Sequence, residues 1–105
     1  MSETLSQKQR RFTRLVGLLI DWAYLHGYEL TFGDAYRDPR CSYGSEVSLH
    51  KERLAVDFNL FKDGQFLNQT EDHRPLGEFW ESMGGSWGGR FKDGNHYSIE
   101  HGGRK

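Results

Sequence analysis

The spacing of apolar residues divides the chain into helical and extended stretches. Phe12, Leu15, Val16, Leu19, Trp22 and Ala23 recur at i, i+3 and i+4, which predicts an amphipathic helix from about Ser6 to His26. Gly27 is suited to end it, and a strand follows from Tyr28 to Phe32. Leu54, Val56, Phe58 and Leu60 then alternate with period two, the pattern of a half-buried strand. Asp63-Gly64, set between apolar runs that end at Phe61 and resume at Phe66, predicts a hairpin. Leu76, Phe79, Trp80 and Met83 predict a second helix, with Pro75 near its start and Gly84-Gly85 at its end. The aromatic stripe on this helix is core packing. A last alternating run puts His96, Ser98 and Glu100 on one face and Tyr97 and Ile99 on the other. The order helix, strands, helix, strand predicts an α+β fold, with two helices on an antiparallel sheet.

Polar residues inside the extended runs bring in chemistry. Asp57 interrupts the second strand, where Asp is depleted and where a carboxylate near a core must be paired or bind a metal. Taken alone, the Ala55, Asp57, Asn59 face is equally the solvent face of a sheet. His50 lies seven positions earlier, and His96 and Asp93 follow in Asp93-Gly94-Asn95-His96. Neutral imidazole and carboxylate both bind zinc, and a catalytic site takes three protein ligands and leaves one position for water. His50, Asp57 and His96 would be the ligands, with Asp93 left as a base. An extended chain would hold His50 and Asp57 about 23 Å apart, at roughly 3.3 Å per residue. Both reach one ion only if Lys51-Glu52-Arg53 turns and His50 folds back over the strand.

Composition bounds this reading. The chain has 105 residues and a formal net charge of −1, which predicts one small domain and gives no electrostatic case for nucleic acid. Lys8, Arg10, Arg11 and Arg14 form a local basic patch, read as a solvated helix face. Cys41 is the single cysteine, so there is no internal disulfide framework, and it is read as a loop or core residue. No stretch has the pattern of a signal peptide or the apolar length of a membrane span, so the chain is expected to be made in the cytosol, without stable membrane association. His26 suits a helix C-terminus. His73 and His101 are expected at the surface, with His101 a lesser alternative as ligand.

These residues resemble a family of zinc peptidases that includes the D-alanyl-D-alanine peptidases and the phage L-alanyl-D-glutamate endolysins, related in fold to the hedgehog signalling domain. The family pattern is Ser-x-His-x-x-Gly-x-Ala-x-Asp, then an acidic residue three positions before a second His. Ser48, His50, Ala55, Asp57, Asp93 and His96 match it. Gly33-Asp34-Ala35-Tyr36-Arg37 is similar to a segment whose Arg contacts substrate, and Trp87-Gly88-Gly89-x-Phe91 is similar to the phage branch. Two positions depart. Arg53 stands at the motif glycine, so the turn is expected to have a different backbone from one relying on glycine's freedom. Ser98 stands where relatives often carry Glu.

The resemblance implies a zinc peptidase (Zn2+ as cofactor) acting on the peptidoglycan stem peptide, with Arg37 holding a substrate carboxylate or oxyanion and Ser48 contacting substrate. The phage branch implies cleavage between L-alanine and D-glutamate. Lacking an export signal, such an enzyme, expected as a monomer, would reach the wall once another protein opens the membrane, and the lack of a wall-binding module fits a thin, accessible wall. A D,D-carboxypeptidase or dipeptidase, and a non-catalytic domain of the same fold, remain open alternatives.

Overall fold

The computed structural model describes residues 3–33 and 49–105. Helix α1 spans Leu5–Leu25. Thr4 starts it with a capping box: its hydroxyl accepts from the Gln7 N–H, and the Gln7 side chain accepts from the Thr4 N–H, satisfying two otherwise orphaned donors. Phe12, Leu15, Leu19 and Ala23 are buried along one face, as the spacing predicts. His26 caps the C-terminus, stacks on Trp22 and donates from Nδ1 to the Trp22 carbonyl at 2.7 Å.

The strands are β1 (Tyr28–Phe32), β2 (Ala55–Lys62), β3 (Gln65–Leu67), β4 (Ser86–Trp87) and β5 (His96–Ser98). All form one antiparallel sheet ordered β1-β2-β5-β4, with β3 also paired to β2. The fold is therefore α+β, as the order of elements predicts. β1 takes one edge of β2. On the other edge, β5 pairs Ala55–Asp57 and β3 pairs Leu60–Lys62. Asp63 and Gly64 both take positive φ, 52° and 77°, the backbone of a tight two-residue hairpin.

Helix α2 spans Arg74–Ser82 and is entered through a 3-10 turn, Thr70–His73. Leu54, Val56, Phe58 and Leu60 point into the core with Leu76, Trp80 and Tyr97. Trp80 is fully buried, and its indole N–H donates to the Ser98 carbonyl at 2.8 Å. Such a ring removes much apolar surface from water while leaving no donor unpaired. Among the described residues, no helix is long and apolar enough to cross a membrane.

One expectation is overturned here. His73 is not at the surface: it is 3% exposed, with Nδ1 2.8 Å from the Tyr97 hydroxyl. Periodicity placed it at a helix start, but the 3-10 turn swings it inward against β5. Burial disfavours its charged form and lowers its pKa from 6.5 to about 4. Because the folded value lies below the unfolded one, the unfolded chain binds the extra proton. The stabilisation, on the order of 3 kcal/mol, is present above pH 6.5 and lost as pH falls toward 4. His73→Gln, compared with wild type by denaturant titration in chelator, should therefore show a shallower loss of stability across that window. Parallel pH profiles would contradict the assignment.

Candidate metal centre

The metal-facing side of the sheet arises from register. Asp57 on β2 lies directly opposite His96 on β5, and Ala55 opposite Ser98. Residues opposite each other in an antiparallel pair project to the same face, so Asp57 and His96 share the side away from Val56, Phe58 and Tyr97. His50 comes from a 3-10 turn, Leu49–Glu52, that precedes β2. The turn is closed by the Leu54 N–H donating to the Leu49 carbonyl at 2.9 Å, and Gln9 of α1 donates from its amide to the Glu52 carbonyl at 2.9 Å. Buried Leu49 anchors it below.

The turn corrects an expectation about its backbone. Arg53 adopts φ 58°, the left-handed region glycine favours, so arginine holds the glycine-type conformation instead of replacing it with another. The required reversal between His50 and Asp57 leaves that position little choice, and the cost of a Cβ there is roughly 1–2 kcal/mol.

His50, Asp57 and His96 are brought together, with one potential ligand atom from each within 4.8 Å of the others. His50 Nε2 is 3.2 Å and His96 Nδ1 3.3 Å from the same oxygen, Asp57 Oδ1. Both are short ion-pair contacts to a buried oxygen. Two imidazole nitrogens and a carboxylate oxygen converging on one point form a donor set suited to a small divalent cation. Burial alone would raise the Asp57 pKa, but the adjacent imidazoles of His50 and His96 outweigh it and hold the group at about 2. The carboxylate is ionised across the neutral range, as a ligand must be.

Asp93 stands at the edge of this cluster, its side chain 53% exposed and 4.0 Å from His96 Nδ1. It follows a 3-10 turn, Gly88–Phe91, and its N–H donates to the Gly88 carbonyl while its own carbonyl accepts from the His96 N–H. The chain can double back so tightly because Gly88 has no side chain: a Cβ there would lie 2.2 Å from the Asp93 carbonyl oxygen. Phe91 is exposed, with its ring 5.9 Å from that of His96. Trp87, buried below, donates its indole N–H to the Gly94 carbonyl at 2.8 Å and fixes the far end of the loop.

Other expectations resolve separately. His101 lies apart from the cluster, paired through its backbone with Arg104 and 3.2 Å from Lys8 Nζ. Ser98 is fully buried on the His96 face, and its hydroxyl has no hydrogen-bond partner among the described residues. Arg37, Ser48 and Cys41 lie outside the described residues. Sequence reasoning missed Gln9, which braces the His50 turn from 43 positions away, and no local signal points to it.

Substitutions at Arg53 test the turn. Arg53→Gly relieves the left-handed strain while adding unfolded-state entropy, so stability should stay within about 1 kcal/mol of wild type. Arg53→Val, with a branched Cβ in the same conformation, should cost at least about 1–2 kcal/mol more. Denaturation midpoints would check both, and equal losses would show that the turn does not need this backbone.

A family model described as D-alanyl-D-alanine carboxypeptidase matches residues 42–99, a span that contains all three converging residues and Asp93. No curated protein matches the chain. The match covers more than half of the 105 residues, and with it the chain is placed as a member of the D-alanyl-D-alanine carboxypeptidase family of peptidases.

Proposed function

We propose that the protein is a zinc-dependent peptidoglycan peptidase, one domain spanning residues 1–105, that hydrolyses an amide bond of the wall stem peptide. The observation that carries this reading is the convergence of His50, Asp57 and His96 within 4.8 Å, with Asp93 beside them. Three nitrogen and oxygen donors with a nearby carboxylate left over fit a catalytic zinc centre better than a closed structural one. The Trp87-Gly88-Gly89-x-Phe91 stretch favours an L-alanyl-D-glutamate endopeptidase of the phage endolysin type. The description of the matching family favours a D,D-carboxypeptidase instead, and this stands as the second reading.

His50, Asp57 and His96 would hold the ion, which when bound supplies Lewis acidity that polarises a carbonyl and lowers the pKa of water toward about 7. Asp93 accepts a proton from the attacking water as its oxygen bonds to the amide carbon. It then returns that proton to the amine nitrogen as the C–N bond breaks, the two halves of general base and acid work. Its exposure leaves the carboxylate reachable by substrate. Arg37, on the resemblance, holds a substrate carboxylate or the developing oxyanion through its planar fork, and Ser48 contacts substrate. The protein acts as a monomer, made in the host cytoplasm and reaching the wall after the membrane is breached.

Purified protein should carry about one zinc per chain, and chelation should abolish activity and lower the melting temperature, because the ligands converge from separate elements. Wall digestion that persists after the metal is stripped would sink the proposal. Mass spectrometry of the released fragments identifies the bond: a new N-terminal D-glutamate supports the endopeptidase, and free D-alanine the carboxypeptidase.

Asp93→Asn should keep near-normal zinc and lose turnover by roughly 10²–10⁴. Loss of the zinc itself would make Asp93 a ligand. Arg37→Lys keeps charge but not the fork, so KM should rise along with a fall in kcat.

A further inference from the structure

On the edge of β2 that β5 and β3 share, residues Phe58 and Asn59 fall between the two partners. The gap opens into a pocket of about 240 Å³ walled by β2, β3, the Thr70–His73 turn and the Lys92–Asn95 segment. That is somewhat less than the roughly 300–1,000 Å³ of a drug-sized site, a volume suited to a short piece of peptide. Asp93 is on its wall and is also 4.0 Å from His96 Nδ1. Whatever fills the pocket therefore borders the candidate proton-transfer group and the metal cluster together.

The lining is polar. Asn59, Asn68, Gln69 and Asn95 are among the residues that line it, with the Asn59 amide donating to the Thr31 hydroxyl and the Gln69 amide to the Asn68 side-chain oxygen. Among the described residues, the charged side chains on the wall are Lys92 and Asp93. His73 also lines it, and burial keeps its ring neutral above about pH 4. Lys92 is thus the one cation there, and its backbone is held at φ 64°. A long side chain kept where glycine or asparagine would sit without strain is an outlier that points toward use of that side chain.

We propose that this pocket is a substrate subsite that binds a stem-peptide residue next to the scissile bond, with Lys92 pairing a carboxylate on that residue. The assignment rests on the L-alanyl-D-glutamate endopeptidase reading above. It gives Lys92 a role separate from Arg37: recognition of an acidic residue, so that a free carboxylate is preferred to its amide. A charge-assisted pair of this kind is stronger than a neutral hydrogen bond.

The test uses two synthetic stem tetrapeptides, one with the D-glutamate α-carboxyl free and one with it amidated. Binding is measured by calorimetry to zinc-loaded Asp93→Asn protein, and turnover with otherwise wild-type protein. The free acid should bind about tenfold more tightly than the amide. Lys92→Gln should erase that difference through KM while leaving kcat and zinc content near wild type, and Lys92→Arg should retain most of it. A preference that survives Lys92→Gln, or no preference in the wild type, overturns the subsite. Lysine-dependent binding of the acid without cleavage of either peptide upholds the carboxylate site and overturns the L-alanyl-D-glutamate endopeptidase reading instead.

Discussion

The pairing of Asp57 with His96 across β2 and β5 is the constraint on which the rest of the site depends. Side-chain direction in a strand has period two, so a slip of one residue would turn either group into the core. Val56, Phe58 and Tyr97 resist that slip, because it would carry them out to the opposite face. The hydrophobic core thus acts as the register device for a polar site on the other face of the sheet. With two of the converging groups fixed by the sheet, the chain has only to deliver His50 and Asp93, and it does so with two short turns at the ends of the paired segment.

Much of this architecture is written in periodicity. The i, i+3, i+4 spacing from Phe12 to Ala23 marks α1 and its buried face, and the alternation from Leu54 to Leu60 marks β2 and the orientation of Asp57. Asp63-Gly64 specifies the hairpin through the conformations those two residues tolerate. These features are legible because each depends on contacts along a single element. The grouping of His50 with Asp57 is legible only as a condition, that the intervening residues must reverse the chain. How they do so depends on Arg53 entering the left-handed region and on Gln9 reaching from α1, and neither is a local property.

His73 shows the opposite failure. Its position at a helix start suggested a solvated ring, yet the ring is buried against Tyr97. Tyr97 lies on the core face of the strand that carries His96, so the two faces of β5 hold imidazoles of different kinds. One packs beside a hydroxyl and is kept neutral by desolvation. The other meets the Asp57 carboxylate across the strand pair. Residue type alone cannot separate the two, because burial is decided by how α2 docks.

Backbone strain falls unevenly along the chain. Among the described residues, the non-glycine residues with positive φ are Arg53, Asp63 and Lys92. Asp63 belongs to a hairpin turn that asks for this conformation, and Asp tolerates it through its short polar side chain. Arg53 and Lys92 have no such relief. They sit in the two connections that carry His50 and Asp93 toward the paired strands. At roughly 1–2 kcal/mol each, they spend a noticeable part of the 5–15 kcal/mol that usually separates folded from unfolded states. In Arg53 the turn geometry accounts for the strain, since His50 must fold back over β2. In Lys92 the same geometry leaves a cation on the wall of the pocket beside Asp93, so the cost of the turn and the placement of the charge come from a single residue.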